Sequence, residues 1–272
     1  MGPMLISQSA PQTEMKIPGD YSPIGLKDLN TINSLNRHDT KFIFNENSLN
    51  TIFEEIKSDY ALLEIKGLHE FGYLNRYFDT NDFTFYFMHH AGKRPRFKIR
   101  VRQYLDNNSC VFEIKEKTNK ERTKKHRIAI SEELNISDWM GFQSESGKSK
   151  MIQSLIVCTT RLNPLELASV TDISFTRMTL ANLSTKERIT IDTQLTFTNG
   201  TISKRLENIA IAEIKQIRYN PKSPFIQTMR HNSIREIKFS KYCHAMAELY
   251  SVKRNRFKPR FLMINKLAYQ SN

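Results

Sequence analysis

From residue 60 onward the chain keeps a period of two: ALLEIKG, EFGYLNRYFDT, RFKIRVRQY, CVFEIKEK, TKKHRIAI, DISFTRMTL, ERITIDTQLTF, ENIAIAEIKQI and IREIKFSK all alternate apolar with polar residues. A strand turns successive side chains to opposite faces, a spacing that no helix uses. With RHDTKFIF at 37–44, these runs amount to about ten strand candidates. Helical interludes are expected near 82–90, 137–157, 223–232 and 241–252, and two amphipathic helices flank RHDTKFIF. The first, SPIGLKDLNTINSLN, offers Ser22 as N-cap and Pro23 as the first helical residue, with Ile24, Leu26, Leu29, Ile32 and Leu35 along one side. The second is ENSLNTIFEEIKSDY. No fixed-length repeat emerges, so the pattern predicts one α+β domain with a large antiparallel sheet over 21–252. Residues 1–20, with three prolines, read as a mobile tail, and KRNRFKPRF within 253–272 as a solvated basic tail.

In RFKIRVRQY, Arg96, Lys98, Arg100, Arg102 and Tyr104 share one face, while Phe97, Ile99 and Val101 share the other. The same alternation places Arg37, Asp39 and Lys41 together, then Glu113, Lys115 and Lys117, Lys125 and Arg127, Arg188, Thr190 and Asp192, and Glu213 and Lys215. Glu-Ile-Lys recurs in the strand candidates at 64, 113, 213 and 236. A half-exposed sheet with its polar face to water explains such alternation without any function. Here, however, the polar faces are nearly all charged over many strands, and a flat sheet would carry a broad repulsive surface. A closed antiparallel β-barrel of about eight to ten strands resolves this, with charged faces lining a wet lumen and apolar faces outward beneath helices. Lys and Arg number 41 against 28 Asp and Glu, a net charge of +13. Clustered cations repel and are partly desolvated, so the lumen expects an anion. Arginine forks match phosphate oxygens bidentately, lysines add point charges, and the interspersed carboxylates suggest a divalent metal. That combination is one for phosphoryl transfer.

Cys110, Cys158 and Cys243 are odd in number and widely spaced, which indicates neither a disulfide framework nor a cysteine-rich zinc site. The N-terminus has no signal-peptide pattern, and no stretch approaches the ~18 apolar residues of a membrane span, so the chain reads as cytoplasmic. A single-stranded nucleic-acid binder should interleave aromatics with cations on one face. Here the aromatics mostly alternate away from the cations, so nucleic acid is disfavoured. His89 and His90 read as exposed residues of a turn rather than metal ligands, and His126 as facing away from the lumen. Phe83, Phe85, Tyr86 and Phe87 read as packing of a short helix, and Trp139 and Phe142 as the apolar side of a covering helix.

Taken in order, RHDTKF at 37–42, RYFDT at 76–80, KIRVRQY at 98–104, FEIKEKT at 112–118 with KKHR at 124–127, SFTRMTL at 174–180, ERITID at 187–192, AEIK at 212–215 and IKFSKY at 237–242 resemble the VTC-type polyphosphate polymerase domain of the triphosphate tunnel metalloenzyme (CYTH-like) superfamily. The resemblance covers about residues 22–250. It implies a barrel that binds ATP or another triphosphate, or a growing polyphosphate, through basic side chains, with Mn2+ or Mg2+ held by carboxylate. Carried over, the phosphate ligands are Lys41, Arg100, Arg102, Lys115, Lys125, Arg177, Arg188, Lys238 and Lys241, with Ser240 adding a hydroxyl and Glu213 holding the metal. Strand position adds Lys98, Arg127 and Lys215 to the phosphate set, and Glu113 and Asp192 to the metal set. Lys41, Arg100, Arg102, Lys115, Arg177 and Lys241 are the expected catalytic set. Phe175 departs from relatives that carry tyrosine there, leaving one phosphate contact in question. Arg37-x-Asp39-x-Lys41 replaces the ExExK signature of CYTH triphosphatases, which favours the VTC branch. The sequence shows neither an SPX-like domain nor a membrane span, so the resemblance implies that a membrane-protein partner would couple synthesis to export at the inner face of a membrane. ATP-dependent polyphosphate synthesis is the leading expectation; triphosphatase action or polyphosphate binding without chemistry are the alternatives.

Overall fold

The computed structural model describes residues 21–32, 38–120, 122–130 and 147–269. Its centre is an 11-stranded sheet whose main path joins β2 (His38–Asn45), β11 (Ile209–Gln216), β9 (Glu187–Thr198), β8 (Leu167–Asn182), β4 (Phe71–Thr80), β5 (Arg96–Tyr104), β6 (Cys110–Lys117) and β7 (Thr123–Ile130), every neighbouring pair antiparallel. Short β3 (Ala61–Leu63) and β10 (Ser203–Arg205) flank β8 and β9. The antiparallel α+β architecture is as the alternation predicts.

Closure by hydrogen bonds is not. Among the described residues β2 and β7 do not pair with one another, which corrects the expectation of a closed barrel. Each edge is blunted instead. β7 exposes Lys124, Lys125 and Arg127, charges that discourage strand addition. β2 is met by residues 236 and 237, through a bridge from Phe42 to Glu236 and a hydrogen bond from the Ile237 amide to the Lys41 carbonyl. IREIKFSK is therefore a single bridge rather than a strand.

Three apolar clusters show which way the faces turn. On the outer face, Phe42, Phe44, Met178, Leu180, Ile189, Ile191 and Ile214 pack beneath α2 (Leu49–Ile56) and α5 (Pro224–His231). Phe97, Ile99, Val101, Phe112 and Ile114 pack beneath α4 (Gly147–Thr160). On the inner face, Ile43, Tyr77, Ile173, Phe175, Leu195, Phe197, Ile209 and Ile211 surround α6 (Lys241–Leu249) and α7 (Lys258–Ala268). β2 and β4 stand four places apart, about 19 Å on a flat sheet. A sheet that gathers both round one cluster is curled, so the inner face is concave and α6 fills one end of it.

Several local expectations change. Pro23–Ile24 form β1, parallel to β3, and the helix α1 (Leu26–Thr31) begins only after Gly25. The Ile24 side chain buries against Leu63 and Phe71, and proline, lacking an N–H, suits an edge strand. Leu35, Arg37, Trp139, Phe142 and the expected mobile tail at 1–20 lie outside the described residues. The basic C-terminal segment is not a solvated tail: α7 buries Phe261 and Ile264, and Arg256 donates to the carbonyls of His90 and Ala91. His90 is buried with Nε2 2.8 Å from Asn255 Oδ1, and His89 Nε2 lies 2.9 Å from the Phe97 carbonyl, so neither is a freely exposed residue. Burial pushes His89 well below its ordinary value, which keeps it neutral.

Candidate active site

On the inner face, the charged positions lie beside the apolar cluster that surrounds α6 and α7, and opposite the outer cores. On β5 and β6, Arg100 stands opposite Glu113, which stands opposite Arg127 on β7. Arg100 Nε donates to Glu113 Oε2 at 2.7 Å, with a second short bond from Nη2, while Arg127 Nε and Lys125 Nζ reach Oε1 at 2.7 and 3.0 Å. Both Glu113 oxygens are thus saturated, and the side chain is 1% exposed. Burial alone would raise this carboxyl, yet Arg100, Arg102, Lys115 and Lys125 together hold it far below the usual range. One row further along, Lys98, Lys115 and Lys125 sit directly across from one another. Lys98 and Lys115 have no ion-pair partner among the described residues. Like charges directly opposite destabilise a sheet, and Arg100, burial and Arg102 push Lys115 well below its ordinary value.

A second wall is built from β8, β9, β11, β2 and the start of α6. Arg177 binds Asp192 through Nε to Oδ1 at 2.5 Å and Nη2 to Oδ2 at 2.8 Å. Lys241, the first residue of α6, reaches the same Oδ2. Glu213 stands between Lys41 on β2 and Thr190 on β9. Lys41 Nζ at 2.8 Å and Lys215 Nζ at 2.9 Å both bond its Oε1. Its Oε2 has no protein partner among the described residues, and its side chain is 22% exposed. Burial opposes ionisation here too, but Lys215 and Lys41 hold the carboxyl well below the usual range. Burial lowers Lys125 and Lys215 to about 8.

The walls meet through β4, whose inner positions Tyr73, Asn75 and Tyr77 are polar but uncharged. Tyr77 Oη accepts from Arg100 Nη1 at 3.0 Å, and Asn75 Oδ1 accepts from Arg102 Nε at 3.0 Å. Tyr73 stacks on Phe175 with centroids 5.3 Å apart and planes at 5°, and tilts against Tyr104 at 5.2 Å. These aromatics share the cationic face, which corrects the expectation that aromatics alternate away from the cations. Tyr73, Asn75 and Tyr77 carry no charge and escape a search for charged strand faces, although their spacing in FGYLNRYFDT is the same period of two.

Fourteen of the expected residues gather on this face: Lys41, Lys98, Arg100, Arg102, Glu113, Lys115, Lys125, Arg127, Arg177, Arg188, Asp192, Glu213, Lys215 and Lys241. Arg188 is placed there by its register opposite Lys215. Lys238 and Ser240 lie outside the strand ladders. Lys238 is exposed, because Ile237 and Phe239 on either side pack into the inner cluster. Ser240 is the N-cap of α6, its oxygen accepting from the Cys243 amide at 3.2 Å.

The described residues contain no cluster of three His, Cys, Asp or Glu. A Mg2+-like ion needs only one or two carboxylates when phosphates and water complete its shell. Glu113 and Asp192 do not fit, since cations occupy both oxygens of each. Glu213 does fit: Oε2 is available, and its cross-strand neighbour Thr190 has a buried Oγ1 with no hydrogen-bond partner. Buried hydroxyls are normally satisfied, so an orphan beside an available carboxylate oxygen marks a place for a hydrated ion or substrate oxygen.

The profile of the VTC domain matches residues 36–250. No curated protein sequence matches the chain. Among solved structures, a Hippeastrum protein, HpAC1, described as a candidate adenylyl cyclase with a dominant triphosphatase activity, is similar with a TM-score of 0.53 and 13% identity, over 78% of this chain and 96% of that one. A Bacillus halodurans protein described as a candidate adenylate cyclase is similar with a TM-score of 0.51 and 11% identity, over 80% of this chain and 100% of that one. At such identities the likeness concerns the fold. No helix among the described residues is long and apolar enough to cross a membrane.

Proposed function

The chain belongs to the VTC domain family, and from that premise we propose that it transfers the γ-phosphoryl group of a nucleoside triphosphate such as ATP to the end of an inorganic polyphosphate chain. One observation carries the reading: a concave face bears eleven lysines and arginines against the carboxylates of Glu113, Asp192 and Glu213, and one of those carboxylates keeps an oxygen available. Such a face is costly without a polyanion. Phosphoryl transfer asks the protein chiefly for positioning and charge neutralisation, with no nucleophilic side chain.

Arg100, held by Glu113 and Tyr77, and Arg177, held by Asp192, are fixed forks. They bind non-bridging oxygens without reorganising as charge develops. Arg102, bonded on this chain only to Asn75 among the described residues, keeps most of its N–H groups for the substrate. Lys98, Lys115, Lys125, Lys215, Lys41 and Lys241 supply point charges along the chain. Glu213, with Thr190 beside it, would hold Mn2+ or Mg2+, which would supply further charge neutralisation for the transferring phosphoryl group.

Hydrolysis of the triphosphate is the second reading, with water in place of the polyphosphate end; the triphosphatase activity described for HpAC1 favours keeping it. The test is incubation of purified protein with ATP and Mn2+, followed by a gel that resolves polyphosphate. Long polymer is the expected product. Free phosphate alone would establish the second reading, and tight polyphosphate binding with no turnover would overturn both.

A further inference from the structure

Tyr73 lies at the middle of the charged face, and none of the ion pairs described above needs it. Its ring is boxed in by the two strands that flank β4. Phe175 on β8 stacks against it, Tyr104 on β5 tilts against it, and the guanidinium carbons of Arg177 and Arg102 stand 5.0 and 5.4 Å from its centroid. These two arginines come from the two strands on either side of β4, so the tyrosine is the point at which the two cationic walls converge. Its hydroxyl has no hydrogen-bond partner among the described residues, although Tyr60, Tyr77, Tyr86, Tyr242 and Tyr250 all bond theirs. The Tyr73 hydroxyl is not one of the sealed, unpartnered polar groups of the described residues, so it opens onto the space above the charged face, where an incoming ligand can reach it.

We propose that Tyr73 is a phosphate ligand, its hydroxyl donating to an oxygen of the polyanion gripped between Arg102 and Arg177. The inference rests on the reading of this face as a triphosphate or polyphosphate site. Burial raises the Tyr73 phenol above its ordinary value, so the group keeps its proton and is available as a donor. Arg102 adds a second reason to expect an oxygen here. It is paired with no carboxylate on this chain among the described residues, and burial and Arg100 both work against its charge. An anion drawn to Arg102 and Arg177 from both sides is brought to the edge of the Tyr73 ring. The rigid ring, fixed by stacking, offers the hydroxyl at little loss of side-chain freedom.

Pure packing is the competing account, and the hydroxyl separates the two. Tyr73→Phe keeps the ring, the stack and both cation contacts while deleting one donor. Binding of tripolyphosphate, measured by calorimetry without ATP or turnover, should weaken about tenfold, as for a hydrogen bond to a charged group, with the thermal midpoint of the unliganded protein unchanged. Because the Phe175 ring is parallel and adjacent, Phe175→Tyr in the Tyr73→Phe background returns a hydroxyl one strand away and should recover most of that affinity. Equal tripolyphosphate affinity in Tyr73→Phe and the parent overturns the proposal. A parent protein that does not bind tripolyphosphate at all would overturn instead the underlying reading of the face, whatever the variant does.

Discussion

The tripeptide Glu-Ile-Lys occurs at 113–115 on β6 and at 213–215 on β11, on the same face of the same sheet, and the two copies do different work. Glu113 has arginines opposite it on both neighbouring strands and ends with both oxygens occupied, 1% exposed. Glu213 has Lys41 on one side and Thr190 on the other, and ends with one oxygen occupied and one available, 22% exposed. What separates an internal counter-ion from a possible metal ligand is thus the cross-strand neighbour, which the tripeptide does not encode. Substituting the same residue in the two copies is therefore the most direct way to break the comparison.

Glu213→Gln should have the larger effect on chemistry. It replaces the carboxylate by a neutral amide, which removes the charge that Lys41 and Lys215 pair with and the anionic oxygen available to a metal, so turnover of ATP in Mn2+ should fall by at least about a hundredfold. Tripolyphosphate binding should change much less, since the cations remain. A metal-dependent rate left intact would sink the assignment of Glu213. Glu113→Gln should act first on the fold. Removing one partner from a buried pair costs roughly 3–5 kcal/mol because the remaining charges are left uncompensated, which for a chain this size means a thermal midpoint lower by on the order of 10 °C. Tripolyphosphate should restore more of that loss than it adds to the parent, because the anion replaces the missing counter-charge. An unchanged midpoint would show that Arg100, Lys125 and Arg127 do not depend on Glu113.

The same contrast marks how far the sequence could be read. Alternation separates Phe97, Ile99 and Val101 from Lys98, Arg100 and Arg102 with no other information, because a pleat leaves each residue only two faces. It says nothing about whether edge strands meet, and the expected closure failed there: β7 ends as a charged edge and β2 is met by a single bridge at 236. Lys238 alternates correctly yet lies outside the strand ladders, since its neighbours Ile237 and Phe239 are drawn to α6 rather than into one. The helix that fills one end of the concave face was legible as a helix at 241–252, but its seat inside the sheet follows from Tyr242, Met246 and Leu249 packing against several strands at once. Tyr73 and Asn75 were hidden by having no charge. Period and charge find faces; register finds partners.

The smallest expected effect concerns proton uptake, and it sharpens the comparison because each wall carries a lysine lowered to about 8. Lys125 beside Glu113 and Lys215 beside Glu213 are both lowered to about 8, burial being the cause and the neighbouring carboxylate opposing it. A lowered lysine is charged below that value and neutral above it. A polyanion favours the charged form, so binding raises both values and takes up protons near pH 8. Tripolyphosphate affinity should accordingly be level below about pH 7 and fall several-fold between pH 8 and 9.5 at constant ionic strength. It should not vanish, because Arg100, Arg102 and Arg177 do not deprotonate in that range. Lys125 is 30% exposed at its side chain against 11% for Lys215, so the solvent screens the Glu113 wall more. Lys215→Arg should therefore flatten the decline more than Lys125→Arg does. A flat affinity from pH 7 to 9.5 in the parent would show that neither lysine meets the anion, and equal flattening by the two variants would erase the difference between the walls.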